Sequence, residues 1–239
     1  MHPLFYLILL LSALTGYFRS IIIFSIIILV HELGHFLTAY LLGWKCIRID
    51  LYPYGGCSKF NIDINIPLWE ELLVLVMGPL IQLIFVYVIS KFVDSSNLVL
   101  FERYSLWILC FNMLPIFPLD GGKLICLVLC RFISYYKACQ ITIYVSYFIF
   151  LLCLLIIVFF KFHFILFLIF ILLGVNLFQE MIKVKFYYHR FLFERYINNY
   201  NFKYIKKIIR INQMKRDTYH IISNQLEKEY LKNYFTVND

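Results

Sequence analysis

Charge is scarce in this chain. Asp, Glu, Lys and Arg make up 15% of its 239 residues, against 62% hydrophobic residues and a mean hydropathy of +0.80. A soluble globule of ordinary composition carries about a quarter charged residues, so that class is excluded and a polytopic membrane protein is expected. A basic segment at the N-terminus is also lacking. The first apolar run, Pro3–Phe18, begins without one and is followed at once by Arg19 and a second run, which reads as a retained span and not a cleaved signal peptide. No CxxC pair occurs among the seven cysteines, and most of these lie in apolar runs where a free thiol behaves as a small hydrophobe. Disulfides are not implied. Cys126 and Cys130, at helical spacing, are either metal-binding or buried inert thiols.

Against this background one polar constellation stands out. Ile21–Leu42 is an unbroken apolar run, about the 20 residues that cross a bilayer core, and it carries His31-Glu32-Leu33-Gly34-His35 near its middle. On a helix, His31 and His35 lie one turn apart on the same face, and two imidazoles can converge on one Zn²⁺ while Glu32 stands beside the open position as general base. Ionisable groups at membrane depth are costly and mark function. The alternative is a chance match whose histidines bond neighbouring helices.

The remaining chain reads as follows. In Gly43–Pro67, Ile47, Ile49 and Leu51 alternate with Arg48 and Asp50, and Ile62, Ile64 and Ile66 alternate with Asp63 and Asn65. A membrane-associated β-hairpin or re-entrant sheet is expected there, offering an edge to an extended peptide or serving as plain surface. Further spans are expected at about Leu68–Phe92, with a kink at Gly78-Pro79, at Leu98–Pro115, at Cys139–Phe160 and at Phe164–Ile182, six in all. The fourth ends in Asn112-Met113-Leu114-Pro115-Ile116-Phe117-Pro118-Leu119-Asp120-Gly121-Gly122. Broken backbone at such depth needs a protein- or water-lined cavity, so Asp120 is either a third metal ligand or an Asp-Gly turn. Asn176, Gln179 and Glu180 are expected to snorkel or bond other helices. Lys183–Asp239 holds 12 of the 22 Lys and Arg and 5 of the 14 Asp and Glu, a local +7 of the net +8. Such a basic tail is expected in the cytoplasm, with the N-terminus on the same side. Tyr204–Arg210 is expected to rest on anionic lipid, and not to bind nucleic acid.

His31-Glu32-Leu33-Gly34-His35, Gly78-Pro79 and Asn112-x-x-Pro115 leading to Pro118-Leu119-Asp120-Gly121, in that order on successive spans, resemble the site-2 protease family of intramembrane zinc metalloproteases. The resemblance is to its sporulation members above all. It covers Ile21–Lys123 by motif and the other spans by layout. It implies zinc held by His31, His35 and Asp120, catalysis by Glu32, a substrate-positioning Asn112, and cleavage of a sigma-factor precursor during sporulation; the expected topology puts a membrane-associated substrate on the cytoplasmic side of a bacterial cell membrane. Membrane inhibitor proteins are possible partners. Gln82 departs from the Asn frequent in the family, and the 57 residues after the sixth expected span are too few for a pair of CBS repeats. The rival expectations are a general site-2 protease acting on anti-sigma factors or signal-peptide remnants, an inactive metal-binding membrane scaffold, and an ion carrier. The fold class expected is all-α: residues 1–182 form a six-span domain with catalytic core 21–123, and residues 183–239 form the tail.

Overall fold

A computed structural model describes residues 18–52, 55–61, 63–160 and 164–237. Most of the first expected span, and the Lys161-Phe162-His163 linker, lie outside these residues. The chain divides into two compact units, Met1–Ile62 with Leu72–Leu114, and Asp63–Glu71 with Pro115–Asp239.

The first unit is built on α1 (Phe18–Leu41), most of α2 (Leu68–Ile89) and α3 (Ser95–Asn112). Residues spaced by three, four or seven share a helix face, and the apolar residues of these helices meet along such stripes. Ile23, Ile27 and Ile28 of α1 pack with Phe101 and Ile108 of α3, flanked by Phe85 and Ile89 of α2. Between helices in lipid such packing stabilises through van der Waals contact and not through removal of apolar surface from water. The opposite faces stay apolar: Leu29, Leu33 and Leu37 of α1, and Leu80, Leu83 and Tyr87 of α2, are exposed, as a lipid-facing surface requires. At the start of α1, Arg19 Nε donates to Asn97 Oδ1 of α3 (2.6 Å).

Between α1 and α2 the chain forms an antiparallel hairpin, β1 (Lys45–Tyr52) with β2 (Gly55–Asn61), irregular between Cys46 and Arg48. The hairpin was expected, but its second strand is not the Ile62–Ile66 alternation. Asp63–Pro67 is a turn whose Asn65 is buried, with Nδ2 donating to the Phe191 carbonyl (3.1 Å). The apolar members Ile64 and Ile66 are half-buried, and the buried residue is the polar Asn65 between them.

The second unit contains α4 (Asp120–Phe132), α5 (Tyr135–Phe160), α6 (Phe164–Ile197) and a C-terminal module. In the module, β3 (Ile205–Ile208) runs parallel to β4 (Tyr219–Ile222), which pairs antiparallel with β5 (Gln225–Leu226) before α7 (Glu227–Val237). Ser223 and Asn224 have φ of 48° and 65°, the two left-handed residues that a tight two-residue hairpin requires. The core joins Cys130 of α4, Tyr135 and Ala138 of α5, and Tyr188, Phe191 and Leu192 of α6 to Ile208, Met214, Ile222 and Leu231 of the module.

Residues 183–239 are therefore no simple tail. The sixth expected span continues to Ile197, and its 34 residues reach roughly 50 Å at 1.5 Å per residue, well beyond a hydrocarbon core of about 30 Å. The stretch after it folds, with Ile205–Ile208 of the lipid-directed segment forming a strand and Ile208 buried in the core. Arg195 explains the compactness. Its fully buried guanidinium donates to Glu227 (3.0 Å), to Asn65 Oδ1 (2.6 Å) and to the carbonyls of Thr218 and Lys215 (both 2.7 Å), and it lies over the rings of Phe191 and Phe202. Four helices among the described residues, α1, α2, α5 and α6, are long and apolar enough to cross a membrane. The stretch expected as the fourth span forms α3, which is not one of these four; Glu102 and Arg103 in its middle lower its apolarity.

Candidate active site

His31 and His35 are one turn apart on α1, as the HExxH spacing requires, and both are buried in the first unit with Glu32 beside them. Among the described residues, the one group of three or more metal-ligating side chains with converging donor atoms is His31, Glu32 and His35, whose ligand atoms all lie within 4.8 Å of one another. Cys126 and Cys130 belong to no such group. Cys130 is buried in the second unit's core, and the Cys126 sulfur lies 3.9 Å from that of Cys139, a contact between thiols.

What orients the histidines comes from α2 and α3. His35 Nδ1 donates to the Val74 carbonyl of α2 (2.8 Å), and His31 Nδ1 faces Gln82 Oε1 (2.8 Å). The Gln82 amide is itself fixed, since its Nε2 donates to both the carbonyl and the hydroxyl oxygen of Ser105 on α3 (each 2.8 Å). With an acceptor before each Nδ1, the tautomer protonated at Nδ1 satisfies both bonds and turns both Nε2 lone pairs toward one another. Those two atoms are 3.1 Å apart. Two lone pairs held at that distance repel unless a cation lies between them, and neutral imidazole is a good ligand for Zn²⁺. The donor set fits a divalent metal.

α2 comes close enough to do this because of two glycines. A Cβ on Gly78 would sit 2.3 Å from the His35 ring, and one on Gly34 would sit 2.6 Å from the Met77 carbonyl oxygen. α2 runs as a helix through Pro79, and Gly78 serves close approach. Asn112, the last residue of α3, directs Nδ2 to within 3.4 Å of His31 Nε2, so it belongs to the same cluster.

Asp120 stands in the second unit as the buried first residue of α4, and accepts a hydrogen bond from Lys123 Nζ (3.2 Å). The loop before it is tightly folded: a Cβ on Gly122 would lie 2.5 Å from the Phe117 nitrogen, whose N–H donates to Ser146 Oγ (2.9 Å). Asp120 is thus buried at the helix end where the Asp-Gly pair was read. Sequence reasoning missed Ser105 and the Val74 carbonyl, and gave Gln82 no task. The signal available was a lone amide in an apolar run, one turn after Gly78.

A helical membrane protein with two imidazoles and a carboxylate converging inside its apolar helices belongs to the class of membrane metalloproteases. The comparisons specify which. The family model of Peptidase family M50 matches residues 19–99. The chain is 31% identical to stage IV sporulation protein FB of Bacillus subtilis over 229 residues, covering 93% of this chain and 79% of that protein. It is 30% identical to a zinc metalloprotease of Methanocaldococcus jannaschii over 128 residues, 50% of this chain and 37% of that one. Its fold matches the solved site-2 protease from Methanocaldococcus jannaschii with a TM-score of 0.59 and 26% identity, covering 74% of this chain and 86% of that one. The chain belongs to peptidase family M50, the site-2 protease family of intramembrane metalloproteases.

Proposed function

We propose that this chain is a zinc-dependent intramembrane endopeptidase that cleaves a membrane-associated sigma-factor precursor at the cytoplasmic side, as part of sporulation. The observation that carries the chemistry is the pair of Nε2 atoms facing each other at 3.1 Å, with both Nδ1 atoms engaged. His31 and His35 would hold one zinc ion together with Asp120, and zinc, when bound, supplies the Lewis acidity that makes water nucleophilic near neutral pH. Glu32 takes the proton of the attacking water and delivers it to the leaving amine, a role in reach of a buried carboxylate next to the histidines. Asn112 donates a hydrogen bond to the substrate from the end of α3. The apolar walls of α1 and α2 keep bulk water away.

The sigma-factor reading is supported by the likeness to stage IV sporulation protein FB along nearly the whole chain. The cytoplasmic placement of both termini is supported by the excess of Lys and Arg after the last span. Anionic lipid at this basic region and regulation by membrane inhibitor proteins complete the reading. The test is co-expression with a sigma-factor precursor carrying a membrane-associated pro-segment. A product shortened near its N-terminus is expected with the natural chain and absent with His35→Ala or Glu32→Gln. Undiminished cleavage by either variant would overturn the assignment.

A further inference from the structure

The second unit contains a cavity of ≈ 370 Å³ lined by Cys130 and Arg131 at the end of α4, by Tyr204, Ile205 and Lys206 around β3, by Lys215, Arg216, Asp217 and Thr218 before β4, and by Leu68. That volume is in the range of small-molecule sites. Its chemistry is one-sided, with four cationic side chains against one carboxylate. Asp217 is already engaged, since its Oδ2 accepts the Leu68 N–H (3.2 Å).

The cations are not equivalent. Arg216 is buried and ion-paired to Glu71 (2.7 Å), and it donates to the Ile66 carbonyl (3.0 Å). Its Nε is nevertheless a buried donor without a partner among the described residues, which ordinarily costs about 1–3 kcal/mol. Lys215 spends one proton on the Phe132 carbonyl. Its ammonium is held below its usual range, first by burial and then by the charge of Lys206. Arg131 and Lys206 are exposed at the rim, and neither has an ion-pair partner among the described residues. A protein does not bring Lys206 and Lys215 together around a concave, partly desolvated space without a penalty, and a multiply charged anion removes it. Arg and Lys ringed about one cavity match the oxygens of a phosphate better than a single carboxylate, which offers half the charge.

We propose that this cavity binds a phosphate group, with Arg131, Lys206 and Lys215 as its direct contacts and Arg216 as the fixed charge behind them. The phosphate comes either from a small soluble phosphorylated compound or from a lipid headgroup. The site lies wholly in the second unit and does not depend on the protease reading.

The test uses the full-length protein in nanodiscs of phosphatidylcholine, titrated with inorganic pyrophosphate and followed by calorimetry. Saturable binding is expected, weakened about tenfold by Lys206→Gln or Arg131→Gln, each of which removes one charge-assisted hydrogen bond from a rim position that the fold does not need. The same titration in nanodiscs containing phosphatidylglycerol separates the sources. Competition by the lipid, seen as pyrophosphate binding to the natural chain that weakens as the phosphatidylglycerol content rises, assigns the site to a headgroup; unchanged pyrophosphate binding assigns it to a soluble compound. Binding that both variants leave intact would put phosphate elsewhere on the basic surface and overturn the proposal. So would the absence of pyrophosphate binding together with a melting temperature that phosphatidylglycerol does not change. No readout involves proteolysis, so failure here leaves the catalytic assignment standing.

Discussion

At the scale of single residues, the two histidines depend on what stands behind them. Gln82 is fully buried, and its side chain links His31 to Ser105. Gln82→Ala is expected to weaken zinc affinity by about 10- to 100-fold, the usual cost of removing a partner that orients a ligating imidazole, as measured by competition with a chromophoric chelator. Full zinc affinity in that variant would refute the orienting role. Glu32→Gln is expected to retain zinc while cleavage falls by about 10²–10⁴-fold, because the amide cannot take the water's proton but leaves both imidazoles in place. Zinc analysis of the purified variant distinguishes this from a ligand role, in which metal would be lost as well.

Elements set the distances on which these residues rely. α1 and α2 approach through Gly34 and Gly78, and a methyl group on Gly78 meets the His35 ring at 2.3 Å. Gly78→Ala is therefore expected to lower zinc occupancy and the melting temperature together, whereas Gly174→Ala, where the Cβ meets only the ring edge of Phe150 (2.8 Å), is expected to leave zinc occupancy unchanged. In the C-terminal module, buried His220 and Glu227 form a pH-sensitive pair. Burial pushes the His220 imidazole below its usual range. Burial also raises the Glu227 carboxyl, but its bonds to His220 and Arg195 outweigh that and hold it below the usual carboxylate range. For both groups the unfolded chain binds protons more readily than the folded one. Their stabilisation is present above their unfolded pKa values, about 6.5 and 4.3, and is lost as pH falls through the lower folded values. Amide exchange in β3 and β4 is expected to accelerate first below about pH 6.5. Exchange independent of pH after correction for intrinsic rates would contradict this.

At the scale of the whole molecule, labelling tests the placement in the membrane. A cysteine probe at exposed Glu229 is expected to react in intact cells only with membrane-permeant reagents if the module is cytoplasmic. Reaction with impermeant reagents would invert the topology. Much of this architecture was legible in the chain. The HExxH cluster, its apolar host helix and the first strand of the hairpin follow from spacing and hydropathy, which are local properties. The folded module was not legible, because its core takes Tyr188, Phe191 and Leu192 from a helix that reads as plain membrane span and basic extension. The run after Ile197 is rich in Lys and Asn, and its few apolar residues acquire a hydrophobic partner only in three dimensions. Net charge described the composition of that region but not its packing. The tasks of Gln82 and Ser105 were hidden for a similar reason: a polar side chain in an apolar run announces a partner without naming it.

The two imidazoles differ in what heredity can do to them. His35 is oriented by the Val74 carbonyl, a main-chain atom that every amino acid supplies, whereas His31 is oriented by the side chain of Gln82, which one codon change removes. Variation at position 74 leaves that acceptor in place and acts through packing, polarity and helix propensity. Variation at position 82 acts on the metal site itself, and in a deep mutational scan scored by zinc-dependent cleavage it should tolerate only side chains that present an acceptor to His31 and still reach Ser105.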